Sequence, residues 1–273
     1  MPLWLPDRSP QLTETVAVGG VSSDIPVTLT SGATANTRGS WVQLISSTAA
    51  DAYGLWLWAR GVAAANGDGR CLIDVAVGPS GSELIILPDL NFGAAPSSNT
   101  ALNRNMFVPI YIPAGSRVAA RCQRDTASGT VTIGWMLEEQ PAWPGGVGVL
   151  GTTYGIDAGN SRGTIITTST AAYGAWQQIV ASTSAPHAWW WPGIDCGGDT
   201  TQSNAACFVQ LGVGGAGSEV VLGTWQFRIT TSEDMCGPNQ PHPIYRQLPA
   251  GVRIAARASN ASNSLGVAVH AVS

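Results

Sequence analysis

The 273-residue chain contains no lysine: all 13 of its basic residues are arginine, and only 11% of its residues are charged. A formal net charge of −4 without a basic run argues against a nucleic-acid footprint. No polybasic stretch supports binding to a membrane surface. Histidine is scarce, at His187, His242 and His270, and none belongs to a His-Glu-x-x-His motif. The five cysteines, odd in number and irregular in spacing, make no disulfide framework. Cys196, Cys207 and Cys236 with His242 lack a Cys-x2-Cys pair, so no metal or other cofactor is expected. No apolar run approaches the roughly 20 residues that span a bilayer. Met1–Arg8 lacks the basic start and apolar core of a secretory signal, so the expectation is a soluble protein made in a cytosol. Helical periodicity is missing as well. What is abundant is turn material, 33 Gly and 17 Pro against 44% apolar residues, the profile of many short strands.

The chain is one unit written twice. Cys71–Glu83 returns as Cys207–Glu219 and Pro113–Arg121 as Pro249–Arg257, both 136 residues on, while Gly39–Ile45 returns as Gly174–Val180, 135 residues on. A near-constant offset over most of each half means that a whole domain was duplicated. Each half is long enough to bury its own core.

Short alternating runs bounded by Gly, Pro, Asn and Ser read as strands. In Gly39–Ile45, Trp41, Gln43 and Ile45 share one face, with Val42 and Leu44 on the other. Leu72–Val77 and Leu84–Leu87 flank Gly78-Pro-Ser-Gly81, a hairpin turn, and Phe208–Val213 and Val220–Leu222 repeat it. The fold expected is all-β: two tandem antiparallel β-sandwiches, jelly-roll-like because that double-sheet form manages its edges. The boundaries expected are an extended N-terminal arm over 1–30, a first sandwich over 31–138, a Pro- and Gly-rich linker over 139–150 and a second sandwich over 151–273.

Each copy carries Gly-Ser-Glu after its hairpin turn, at Glu83 and Glu219. Each also has two arginines four apart, Arg117 and Arg121 in one copy and Arg253 and Arg257 in the other. Residues i and i+4 of a strand face the same side, so structural ion pairs are expected between Glu83 and Arg117 or Arg121, and between Glu219 and Arg253 or Arg257. Among 11 tryptophans, Trp189, Trp190 and Trp191 are consecutive, so in a strand one face of the run must be wet or in contact with something. Trp56 and Trp58 share a face with Arg60, leaving Leu55, Leu57 and Ala59 for the core. Core packing, a subunit interface and stacking on a glycan remain open for these rings. Leu3, Trp4 and Leu5 on the Pro-rich arm need a surface, either a neighbouring subunit or the chain's own first domain. Gly78–Gly81 is not a nucleophile elbow, and the acidic pairs Asp195/Asp199 and Glu138/Glu139 lie in Gly- or Pro-rich connections, so no catalytic residue is assigned and no enzyme is expected.

Gly39–Ile45, Asp74–Glu83 and Pro113–Arg121, with second versions in the other half, resemble structural proteins of tailed-bacteriophage virions. The resemblance covers roughly residues 39–137 and 174–273. It implies a non-enzymatic virion component, a tail- or fibre-associated adhesin docked to the particle through its N-terminal arm, or a capsid decoration or head-fibre protein. Other virion proteins would then be its partners, and it would be assembled in the host bacterial cytoplasm as a homo-oligomer, with a trimer favoured. A glycan-binding module using exposed Trp clusters, acting on a host surface glycan, is the alternative. The second copy departs from the pattern, with Gln210 where Asp74 stands and Ala258 where Cys122 stands.

Overall fold

A computed structural model describes residues 27–60, 70–92, 104–139, 146–169, 172–195, 205–229, 242–259 and 264–273. The first half forms β1 (Val27–Thr30), β2 (Val42–Ile45), β3 (Gly54–Arg60), β4 (Cys71–Val77), β5 (Leu84–Asn91), β6 (Arg104–Val108), β7 (Val118–Arg124) and β8 (Thr130–Glu138). Two four-stranded sheets result, in the orders β1-β8-β3-β6 and β2-β7-β4-β5, with every pairing antiparallel. This is a jelly roll, in which strands alternate between two facing sheets.

The second half forms β9 (Gly151–Tyr154), β10 (Ile156–Asp157), β11 (Arg162–Ser169), β12 (Gln177–Val180), β13 (His187–Asp195), β14 (Ala205–Val213), β15 (Val220–Ile229), β16 (Ile244–Leu248), β17 (Ile254–Ser259) and β18 (Ser264–Val272). Strands β11-β18-β13-β16 and β12-β17-β14-β15 repeat the two orders of the first half. The duplication seen in the sequence is therefore a duplication of topology. Two features are new. The end of β11 pairs in parallel with β17, at Thr168 with Ala258 and Ser169 with Ser259, and so joins the two sheets. β9 pairs with the C-terminal part of β18, extending the edge that β11 occupies farther back.

Alternation builds the cores. Leu55, Leu57 and Ala59 of β3 stand opposite Leu137, Trp135 and Ile133 of β8, and all six are buried. In the second copy Trp190 and Ile194 face Ala271 and Val267 in the same way, buried as well. β2 departs from the expected alternation: the register shifts between Gln43 and Ile45, so Leu44 and Ile45 are both buried although they are adjacent. Such a bulge spends one residue to re-aim the side chains that follow it.

One boundary is corrected. β1 falls inside the segment expected to be an extended arm, yet it pairs with β8 from Val27–Ile133 to Thr30–Thr130 and completes the first sheet. Residues 1–26, with Leu3, Trp4 and Leu5, lie outside the described residues. The described part of the expected linker is fastened: Gly148 bridges Ile110, and the Val149 N–H donates to the Ser273 carbonyl at 2.8 Å. No described helix is long and apolar enough to cross a membrane.

Candidate functional site

Both predicted ion pairs form, and each selects the first arginine of its ladder. Arg117 Nη1 lies 3.1 Å from Glu83 Oε1, and Arg253 Nη1 lies 2.8 Å from Glu219 Oε1. The surroundings are duplicated as well. The same Nη1 atoms donate to Gly78 O and Gly214 O, each at 3.1 Å, and the Nε atoms to Gln43 Oε1 and Gln178 Oε1, each at 3.1 Å. The second carboxylate oxygens accept the Gly81 and Gly217 N–H groups at 3.0 Å. Burial pushes the Glu219 carboxyl up, but hydrogen bonds from Arg253 and the turn backbone outweigh it and hold the group below its ordinary value. Each cluster ties a hairpin turn, whose glycines at 78 and 214 have φ of 110° and 117°, to the neighbouring strand. Both are scaffold devices.

The tryptophans part company with the glycan-stacking reading. Trp189, Trp190 and Trp191 are 4%, 0% and 0% exposed, so the run has no wet face. Trp190 fills the second core, where its Nε1 donates to Arg246 O at 2.8 Å. Trp191, on the other face, packs against His270 with ring centroids 5.5 Å apart. That face is covered by the first jelly roll. Trp56 and Trp58 are half-buried; Trp56 stacks on Phe107 at 4.8 Å, and Trp58 lies flat on Gly134, where a Cβ would meet its indole. The Arg60 side chain is outside the described residues.

The junction between the jelly rolls is polar and closed. Asn91, Asp195 and His270 are each 1% exposed. Asn91 Nδ2 donates to Asp195 Oδ2 at 2.9 Å, and the same oxygen accepts the Gly163 N–H at 2.7 Å. The Asn91 backbone N–H donates to His270 Nε2 at 3.3 Å. On the other ring nitrogen, Thr153 Oγ1 lies 2.9 Å from Nδ1, and because that hydroxyl gives its proton to Pro88 O at 2.6 Å, Nδ1 carries the hydrogen. Burial of this neutral tautomer lowers the His270 pKa to about 3. Beside it Leu87, Leu90, Thr153, Trp191 and His270 line a crevice too tight to admit a water molecule. Farther along the junction, Gln123 Nε2 donates to Ala158 O at 2.6 Å, and Ser161 Oγ donates to Asn36 Oδ1 at 2.8 Å. Asp195 thus belongs to the junction and Glu138 is buried at the end of β8. Asp199, Cys196 and Cys236 lie outside the described residues. Cys71, Cys122 and Cys207 are buried.

Sequence reasoning missed the cluster around the second arginine of each ladder. In the first copy Arg121 Nε and Arg38 Nε both lie 2.8 Å from Asp74 Oδ2, and Arg38 Nη2 lies 2.6 Å from Asp89 Oδ1. Arg121 also covers the Trp41 ring at 4.3 Å. Burial first and the Asp74 charge second raise the Asp89 pKa, with Arg38 opposing them. In the second copy Tyr173, Trp176, Gln210 and Arg257 stand at the positions of Arg38, Trp41, Asp74 and Arg121. Arg257 Nε donates to Gln210 Oε1 at 2.8 Å. Its guanidinium carbon lies 4.9 Å and 4.4 Å from the Tyr173 and Trp176 ring centroids. The Gln210-for-Asp74 exchange was the visible signal.

No family model matches the chain, and no curated protein matches its sequence. Solved structures do match. PNGF-II is 8% identical with a TM-score of 0.37, over 91% of this chain and 65% of that one. PNGase F, a glycosylasparaginase from Flavobacterium meningosepticum, is 9% identical with a TM-score of 0.36, over 92% and 96%. The tandem CBM22 domains from Paenibacillus barcinonensis Xyn10C are 10% identical with a TM-score of 0.27, over 86% and 84%. A chain of Sulfolobus Turreted Icosahedral Virus is 11% identical with a TM-score of 0.23, over 90% and 58%. At these values no activity transfers. The comparisons do overturn one expectation: with PNGF-II and PNGase F among the matches, the sequence-based exclusion of an enzyme does not stand.

Proposed function

We propose that the chain is a structural protein of a tailed-bacteriophage particle, a two-jelly-roll unit that assembles with further copies of itself and docks through its N-terminal arm. One observation carries this reading. Leu84 and Val220, equivalent residues at the starts of β5 and β15, are 65% and 64% exposed, and both strands lie at sheet edges. An edge strand with an exposed apolar residue favours pairing with another chain, and natural proteins usually blunt it. Here the same corner is left apolar twice, while the adjoining turn is held by a buried ion pair. A duplicated contact of this kind suits a ring in which each chain offers two similar modules, and a trimer presents six.

Purified phage particles provide the test. A fixed copy number of the chain, lost when residues 1–26 are deleted with β1 left in place, supports the reading, and a native mass equal to the lone 28.2 kDa chain contradicts the oligomer. Leu84→Asp with Val220→Asp is expected to lower the assembly state without unfolding the monomer.

A further inference from the structure

We infer that the outer face of β14 and β17 in the second jelly roll binds a carboxylate-bearing sugar, with Arg257 pairing the carboxylate. The contrast between the two copies carries this. In the first copy the cluster is balanced: two cations, Arg38 and Arg121, meet two anions, Asp74 and Asp89. In the second copy Arg38 has become Tyr173 and Asp74 has become Gln210, and Thr224, opposite Gln210, stands where Asp89 stood. The arginine alone was kept. Arg257 therefore holds one uncompensated positive charge, with no carboxylate partner among the described residues.

The geometry around it is a seat for a ligand. Trp176 lies on the backbone of Gly212, where a Cβ would come within 2.7 Å of its ring, so the indole is fixed flat against the sheet. The guanidinium is held over that ring and the Tyr173 ring, and among the described residues Nε is its one hydrogen-bonded atom. Nη1 and Nη2 remain as a planar pair of donors, the shape that grips a carboxylate in two parallel hydrogen bonds. One positive charge matches one carboxylate, whereas a phosphate dianion calls for more. Gln210 Nε2 donates to Thr224 Oγ1 at 3.0 Å beside the arginine. Thr224 and Gln226 are exposed on β15, and Phe208 is 38% exposed next to them. Flat aromatic surface next to amide and hydroxyl groups suits a pyranose ring, whose C–H face packs on the ring and whose hydroxyls take the polar groups. An aspartate or glutamate side chain of a peptide would use the guanidinium alone.

Calorimetric titration of the full chain with 3′-sialyllactose and with trigalacturonate, against lactose and a peptide rich in glutamate, tests the proposal. The expected result is binding of at least one acidic sugar, about tenfold or more tighter than lactose or the peptide, a difference of about 1.4 kcal/mol. Arg257→Gln is expected to abolish that preference and Arg257→Lys to recover only part of it, because an ammonium offers no planar fork. Arg121→Gln is expected to leave binding unchanged. Equal affinity for the neutral sugar, equal affinity for the peptide, binding that survives Arg257→Gln, or no binding of either acidic sugar overturns it. The site does not depend on the proposed particle role: a chain that never joins a particle still binds the sugar if this inference is right.

Discussion

Asn91 of the first jelly roll donates its side-chain amide to the Asp195 carboxylate of the second at 2.9 Å, with both residues buried at the junction. A charge-assisted hydrogen bond in so dry a place is worth about 1.5–3 kcal/mol, and truncating one partner exposes the cost of the other. Asn91→Ala is therefore expected to lower stability by about 2 kcal/mol. Amide hydrogen exchange should speed up first at β5, at the end of β13 and at Gly163, while β3 and β8 stay protected. Uniform acceleration across both jelly rolls would mean that the contact does not define the junction.

The same junction is acid-sensitive. His270 is neutral because its Nε2 accepts the Asn91 N–H, and a protonated ring would turn a second donor towards that group. Its folded pKa of about 3 lies below the ordinary 6.5. Protons therefore bind the unfolded state more readily, and the stabilisation is complete above pH 6.5 and is lost as pH falls from there towards 3. Within that window the slope from this residue is up to about 1.4 kcal/mol per pH unit. Burial lowers the His187 pKa too, so a smaller slope from that residue persists. Chemical denaturation from pH 7 to pH 5 is expected to show a flatter decline for His270→Gln than for the wild type. Parallel curves would contradict the assignment.

The Glu83–Arg117 pair locks a turn to a strand, since the arginine also donates to Gly78 O and Gln43 Oε1. A double-mutant cycle of Glu83→Gln and Arg117→Gln is expected to show a coupling of about 1 kcal/mol, at the top of the range usual for exposed pairs because the Glu83 side chain is 5% exposed. Sodium chloride at 1 M should reduce it only modestly, as buried pairs are poorly screened. A coupling indistinguishable from zero would make the pair a passive feature of the hairpin.

The duplication, the hairpins and the Glu–Arg pairs were legible because each is local: a turn sequence, a strand and a residue carried on the adjoining strand. β1 was not, because Val27–Thr30 follows an irregular Pro-rich stretch and gains its identity only by pairing with β8, about a hundred residues on. The burial of Trp189 and Trp191 was also hidden. Alternation shows that the two share a face, but cannot distinguish a face in water from one covered by β5 over Trp191 and by Tyr245 and the Gly146 segment over Trp189. The Arg121 cluster escaped for a related reason. Arg38, Asp74 and Asp89 belong to three separate segments, and only the β2-β7-β4-β5 sheet order brings them together.

Gly212 offers a last check on the second copy, because Ala76 occupies the equivalent position in the first. With alanine at 212 the added Cβ would sit 2.7 Å from the Trp176 ring, too close for the present packing. Since the first copy buries a methyl group at that position, Gly212→Ala is expected to fold, with Trp176 lifted away from the sheet. Lifting the ring disturbs the stack with Arg257, now 4.4 Å from its centroid. The expected signs are a red-shifted contribution to tryptophan emission that Trp176→Phe removes, and a melting temperature lowered by a few degrees. A cation–π contact at a partly exposed site is worth about 0.5–1 kcal/mol, so a larger loss would mean that the methyl group also disturbs β14 itself. An unchanged emission spectrum would mean that the indole already has room, and that Gly212 is not what seats it.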